Sequence, residues 1–225
     1  MGYQMKLSKN TLETLKHFST INGGIHIRKG TQLSIVNNIK TVMAVADVPD
    51  TFTEDFCIYD LNEFLSVYSL YPENIEVVFD EKNLIFEHAQ KSSIYRKAAV
   101  EMIIEAPEKL IILPSIDHSF ELSEENINWI TKVAAITGAT HIGISSTDGK
   151  VVVRAYDPKN DAAHISSIYL TDKPAPKDYN ISIKLENIKL LPGSYLVSIS
   201  LKGISYFKHN TKNIRYWIAL EQTSK

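Results

Sequence analysis

The sequence predicts an α+β fold built as two similar domains, and three observations carry that reading. The first is a helix pattern that occurs twice. Ser8, Leu12, Leu15, Phe18 and Ile21 are matched 115 positions further on by Ser123, Ile127, Ile130, Val133 and Ile136, each set opening on a serine and carrying apolar residues on one side of a helix. The second is that the match reaches back to Leu7 and Leu122 and forward to His26-Ile27 and His141-Ile142, which open a β-like stretch in each half. The third is the order of elements, since helix, strands, short helix and strands follow one another in both halves.

Taken in order, the first half continues from its helix into β-branched and aromatic runs at residues 25–28, 33–36, 42–46 and 56–58, broken by Gly30, Asn37-Asn38 and Pro49. Asp60 then caps a short helix carrying Leu61, Phe64, Leu65 and Leu70, which Pro72 ends. Strand patterns resume at 75–79, 84–87 and 92–95. In the second half, strands are expected at 142–145 and 151–155, joined by an Asp148-Gly149 hairpin turn, and at 165–170. A short apolar helix is expected over 185–191, stopping at Pro192-Gly193, and strands at 195–200, 205–208 and 215–220 close the chain. The domains are therefore placed at 1–106 and 116–225, with a connector at 107–115. In that connector Pro107 and Pro114 bracket Leu110, Ile111, Ile112 and Leu113. The run fits a buried strand or an exposed connector whose apolar side chains border a docking pocket.

Composition excludes several classes. A chain of 225 residues with 44% hydrophobic and 22% charged residues has the balance of folded globular domains rather than of disorder. No apolar run approaches the roughly 18 residues of a membrane span, and no signal-peptide core opens the chain, so a cytosolic protein is expected. The lone Cys57, in an apolar run, reads as a buried thiol. A net charge of −2 argues against general electrostatic attachment to nucleic acid, so a DNA-binding role would need its cations gathered on one surface.

Catalytic patterns are missing. His17, His26, His88, His118, His141, His164 and His209 show neither zinc-ligand spacing nor a Cys or Glu pattern beside them. Gly23-Gly24 lacks the third glycine of a dinucleotide fingerprint, and no phosphate loop, nucleophile elbow or calcium loop is present. No catalytic residue, metal or cofactor is expected. An enzyme with a dispersed site in two β-rich domains, or a structural virion oligomer, are the alternatives from other classes. The first helix does carry an asymmetry: Lys9, Lys16 and Thr20 fall together opposite its apolar side. The second has Glu124, Thr131 and Ala135 at those positions, with Lys132 one place further on than the Lys16 match, and Lys184 and Lys189 flank the later short helix.

The segments Met5-Lys6-Leu7-Ser8-Lys9, Thr20-Ile21-Asn22-Gly23-Gly24-Ile25, Ile58-Tyr59-Asp60-Leu61-Asn62, Asn187-Ile188-Lys189, Pro192-Gly193-Ser194-Tyr195 and Ala219-Leu220-Glu221 resemble the sliding clamps of T-even-type bacteriophages, which are DNA polymerase processivity factors. The likeness runs in order along nearly the whole chain and is loose over 71–122. Met1 to Gln4 precede the family's usual start, and the second helix is less basic than its relatives'. The resemblance implies a homotrimeric ring of clamp-fold subunits, with helices lining a lumen and sheets outside, that encloses double-stranded DNA without reading its sequence. It implies a DNA polymerase and a clamp loader as partners, no membrane, an assisting role in late transcription, and residence in the cytoplasm of the infected bacterium. It places Lys9, Lys16, Lys132 and Lys189, with Lys6 and Lys184, toward DNA. It places Leu110, Ile111, Ile112 and Leu113, with Trp217 as neighbour, at a pocket for partner C-terminal peptides.

Overall fold

The computed structural model describes residues 3–160, 162–170 and 174–221. Contacts divide the chain into two units, Met1–Glu108 and Lys109–Lys225. Unit 1 holds β1 (Tyr3–Met5), α1 (Lys9–Phe18), β2 (Ile25–Ile27), β3 (Gly30–Val36), β4 (Val42–Phe52), β5 (Phe56–Ile58), α2 (Leu61–Tyr68), β6 (Val77–Phe79), β7 (Asn83–His88) and β8 (Lys91–Arg96). Unit 2 holds β9 (His118–Leu122), α3 (Glu124–Thr137), β10 (His141–Thr147), β11 (Lys150–Tyr156), β12 (Ser166–Leu170), β13 (Tyr179–Lys184), β14 (Tyr195–Ser200), β15 (Ile204–His209) and β16 (Ile214–Ala219).

The two units share one design. In unit 1 antiparallel strands run in the order β1-β6-β7-β8, and in unit 2 β9-β14-β15-β16 repeat that order. The four strands after α3 pair as β12-β11-β10-β13, and their counterparts β4-β3 and β2-β5 pair in the same sense. The strands that precede each helix, β1 and β9, escape the sequence pattern because they are short, yet they are equivalent members of the repeat. Tyr3 stacks on Phe79 at 4.6 Å and pairs with it in register, so part of the Met1 to Gln4 extension is built into the sheet. Met1 and Gly2 lie outside the described residues.

Both long helices start where the serines place them. The Ser8 hydroxyl accepts from Thr11 N–H and the Ser123 hydroxyl from Asn126 N–H, satisfying amides that lack an intrahelical partner. The expected apolar rows are corrected. Residues three apart advance 300° around a helix, so a row of four drifts halfway round it. Only its middle is seated: Leu15 and Phe18 are buried together with Thr11, whereas Leu12 and Ile21 are half-buried. In α3 Ile130 is buried with Ala134, and Ile136 is 79% exposed. Asp60 caps α2 by accepting from the Asn62 and Glu63 amides, and Leu61, Phe64 and Tyr68 sink into an aromatic cluster with Tyr71, Phe86 and Tyr95, leaving Leu70 exposed.

Two further expectations are overturned. Pro49 does not break the strand it follows: β4 runs on to Phe52, and the pairing with β3 shifts register between Gly30 and Gln32. A missing N–H is tolerated at such an irregularity because no regular ladder bond is required there. The helix expected over 185–191 is a single 3-10 turn, Leu185–Asn187. The Leu191 amide, which a helix would direct back to Asn187, donates instead to the Tyr216 hydroxyl, and the Leu191 carbonyl accepts from Tyr195. Gly193 beyond it has φ +144° and faces the His209 ring so closely that a Cβ would overlap it.

Residues 104–117 form neither helix nor strand. Within unit 2 their far end is fixed by Asp117, whose carboxylate accepts from Lys177 Nζ at 2.7 Å, from the Leu201 amide at 2.9 Å and from the Ser115 hydroxyl at 2.8 Å. These donors hold Asp117 down at about 2, the Lys177 hydrogen bond foremost. A carboxyl whose native pKa lies below its unfolded value stabilises the fold above the unfolded value and stops doing so as pH falls through the native one. Asp117→Asn should therefore lower the melting temperature near neutrality, and its deficit should shrink as pH falls from about 4 toward 2, measured by thermal melts of both proteins across that range.

Candidate functional site

The surface opposite the buried row of α1 is set by the row itself. Ser8 N–H donates to Asp50 on β4 at 2.7 Å, which pins the helix start, and Thr11, Leu15 and Phe18 face inward. Lys9 and Lys16 then lie exposed on one outer face, about 10 Å apart along the axis, while Thr20 is exposed in the turn after the helix. Lys9 is 4.0 Å from Glu13, and with both side chains mostly exposed this pair ties up little of the charge. Lys6, just before the cap, is also exposed.

The remaining lysines are placed less uniformly. Lys132 is exposed midway along α3, in a stripe with Glu125, Trp129 and Ile136, so this face carries one cation among apolar and acidic neighbours. Lys189 is exposed beyond the 3-10 turn. Lys184 is half-buried and pairs with Glu221 at 3.2 Å. It lines a recess of about 550 Å³ with His141, Asp157, Lys159 and Glu186, a lining of mixed charge rather than a cationic surface.

The apolar run of the connector is not a strand. Ile112 is 87% exposed and Leu110 41%, while Ile111 and Leu113 are half-buried. The exposure continues on both sides, at Val100, Met102 and Ile104 before the run and at Ile116 after it. Trp217 is buried and packs against Tyr206 at 5.1 Å, its cross-strand partner. In register with them on β14 and β9 stand Ser198 and Ser119, whereas Phe120, Val197, Phe207 and Tyr216 on the alternate positions are core residues. Trp217 thus belongs to the face of its sheet turned away from that core.

The sequence reading missed an apolar surface at two sheet edges. β8 is the last strand of β1-β6-β7-β8 and carries exposed Ile94, and β12 is the last strand of its sheet and carries exposed Tyr169, with Ile165 just before it. Both runs have ordinary strand patterns, and which strand ends a sheet depends on pairing that a single sequence does not display. Among the described residues, no group of three or more His, Cys, Asp or Glu is arranged to hold a metal, and no helix is long and apolar enough to cross a membrane.

Comparison with known proteins agrees with this geometry. Residues 6–113 match the family described as DNA polymerase processivity factor, and residues 119–222 match the family described as gp45 sliding clamp, C terminal. The sliding clamp of Vibrio phage KVP40 is 31% identical over 222 residues, covering 96% of this chain and 99% of the relative. The sliding clamp of Escherichia phage RB69 is 31% identical over 224 residues, covering 98% of each. Among solved structures, proliferating cell nuclear antigen of Entamoeba histolytica superposes with a TM-score of 0.69 over 98% of both chains at 14% identity, a likeness of fold alone. These relatives are clamps and processivity factors rather than enzymes. With a clamp domain matched in each half and whole-length relatives of phage origin, the chain belongs to the sliding-clamp family.

Proposed function

We propose that three copies of this chain close into a ring around duplex DNA and tether the replicative polymerase, and that the ring slides instead of gripping. The observation that carries this reading is the outer face of α1, where Lys9 and Lys16 stand solvated opposite the buried row while the whole chain has a net charge of only −2. A few cations along an enclosed duplex tolerate translation, whereas a strongly basic surface would hold it in place. Lys132, Lys189, Lys6 and Lys184 supplement them, Lys184 less directly because of its pairing with Glu221. On this reading the domains are 1–106 and 116–225 with the connector at 107–115, a clamp loader opens the ring, and the site of action is the cytoplasm of the infected bacterium. The assisting role in late transcription is carried over from the family resemblance.

Ring closure follows from the two edges. β8 of one copy and β12 of the next are unlike edges, so their pairing is head-to-tail and can close around a rotation axis. It would remove two unprotected edges and cover Ile94 and Tyr169. Sedimentation should show a species of roughly 76 kDa from 25.4 kDa subunits. Ile94→Asp and Tyr169→Asp should each move it toward the subunit mass without loss of folded structure. A wild-type mass that stays at one subunit at every concentration would exclude the ring.

The exposed run of the connector suits a partner peptide, since Leu110 and Ile112 offer apolar contact without any rearrangement of a strand. Ile112→Asp and Leu113→Asp should weaken binding of the cognate polymerase tail by about tenfold or more, the loss of a buried anchor, with the melting temperature unchanged. Calorimetry with the tail peptide measures it.

Enclosure is separable from electrostatic attachment. Free protein should bind linear duplex weakly, and loaded protein should survive on closed circular DNA through a salt rise that removes a groove-binding protein, then leave when the circle is cut. Replacing Lys9, Lys16 and Lys132 by Ala should impair loading more than residence on the circle. Equal loss from linear and circular DNA at high salt would end the topological reading.

A further inference from the structure

Each unit carries a histidine and glutamate pair where the chain has left its last strand. In unit 1 His26 on β2 meets Glu105 through Nδ1 at 2.6 Å. Arg28, two residues on, donates to the same carboxylate oxygen at 2.9 Å and to the Ala106 carbonyl at 3.1 Å. Asp55 stands 3.9 Å from the other nitrogen of His26, and Cys57 is its cross-strand neighbour. In unit 2 His141, 115 positions after His26 and on the equivalent strand β10, meets Glu221 through Nε2 at 2.7 Å. Lys184 pairs with the second oxygen of Glu221 at 3.2 Å, and Thr140 and Tyr156 contact the His141 ring.

The two sites share an arrangement although the duplicated sequences have diverged around them. In both, an almost buried imidazole on a strand and a basic side chain, from just beyond that strand in unit 1 and from the neighbouring strand in unit 2, reach one carboxylate that is about two-fifths exposed. Residues 104–116 pair with no strand, so a charge-assisted grip on Glu105 and the Ala106 carbonyl takes that role. Ala106 is itself buried, and the apolar run begins four residues later. The carboxyl groups respond as gripped carboxylates do. Glu105 is held below its ordinary pKa chiefly by the His26 hydrogen bond, and for Glu221 burial pushes upward but the bonds from His141 and Lys184 prevail.

We propose that Glu105 and Glu221 are equivalent positioning residues: Glu221, held by His141 with Lys184, is fastened after β16 to β10 and β13, while Glu105, held by His26 with Arg28, fixes the direction in which the chain leaves unit 1, and thereby presents the 110–113 run to its partner peptide. The last clause rests on the docking reading above, and the latch itself does not. Glu105→Gln keeps the shape and removes the charge. Nitrogen-15 relaxation should show backbone order parameters across 103–113 falling from about 0.85 toward about 0.6, as the segment loses its charge-assisted hold, while those of β3–β4 and β10–β11 stay unchanged. In nitrogen-15 spectra of the imidazoles, assigned with His26→Gln and His141→Gln, Glu105→Gln should move only the His26 signals and Glu221→Gln only those of His141. A synthetic C-terminal peptide of the cognate polymerase should bind Glu105→Gln severalfold more weakly and Glu221→Gln as it binds wild type. Unchanged order parameters over 103–113, or unmoved His26 signals, in folded Glu105→Gln overturn the latch. Should that variant fail to fold, His26→Gln is followed by the same relaxation measurement: a fall in order parameters over 103–113 supports the latch and no change overturns it. A wild-type protein that ignores the peptide while Glu105→Gln still loosens 103–113 overturns the docking reading and leaves the latch standing.

Discussion

The seating of one helix on strands in each unit orders most of what the surface does. Leu15 and Phe18 with Thr11 in α1, and Ile130 with Ala134 in α3, are removed from water against neighbouring strands, each large apolar side chain contributing roughly 1.5–3 kcal/mol. Once those residues face inward, the rest of each helix is committed. Lys9 and Lys16 point to solvent because an unpaired ammonium is costly to bury, and so a packing constraint on the inner face writes the charge pattern of the outer one. The same constraint leaves Trp129 and Ile136 exposed on α3, although their side chains would be as well suited to a core.

Antiparallel pairing then extends the duplication beyond the helices. Strands β1 and β9 are too short and mixed to announce themselves, yet each lies beside the first strand after the second helical element, β6 or β14. Three strands in each sheet offer them an edge with unpaired backbone groups, and joining that edge satisfies both partners at once. The opposite edge, β8 in unit 1, has no such addition within its sheet. β12 ends the other sheet of unit 2 in the same way. That asymmetry makes a repeated architecture suitable for unlike-edge assembly.

Where regular pairing stops, polar and charged side chains supplement it. Lys97 follows β8, is almost buried, and reaches Glu54 while lying over the rings of Phe56 and Phe79. Asp117 gathers Lys177, Ser115 and the Leu201 amide before β9 begins. His209 accepts the amides of Thr211 and Lys212 at Nδ1, which leaves Nε2–H to donate to the Pro192 carbonyl. Each of these holds a segment at the margin of a ladder, and Lys97 and Asp117 keep enough water or counter-charge to avoid the penalty of an isolated buried ion.

By itself the sequence determined the duplicated α+β plan, the serine and aspartate caps, the Asp148-Gly149 hairpin and the outer lysines of α1, because each of these rests on local periodicity or on a side chain bonding within three residues of itself. The resemblance in its motifs also reached the clamp family. Tertiary structure alone decided which of the four apolar residues in each helix row are seated, since a three-residue step drifts around the axis until packing selects its middle. It alone reduced 185–191 to one turn, where the hydroxyl of Tyr216, 25 positions on, claims the Leu191 amide. It alone showed the connector's exposure, the free edges at β8 and β12, and the joining of His26 to Glu105 and His141 to Glu221 across 79 and 80 positions, for pairing over such separations leaves no periodic trace in the chain.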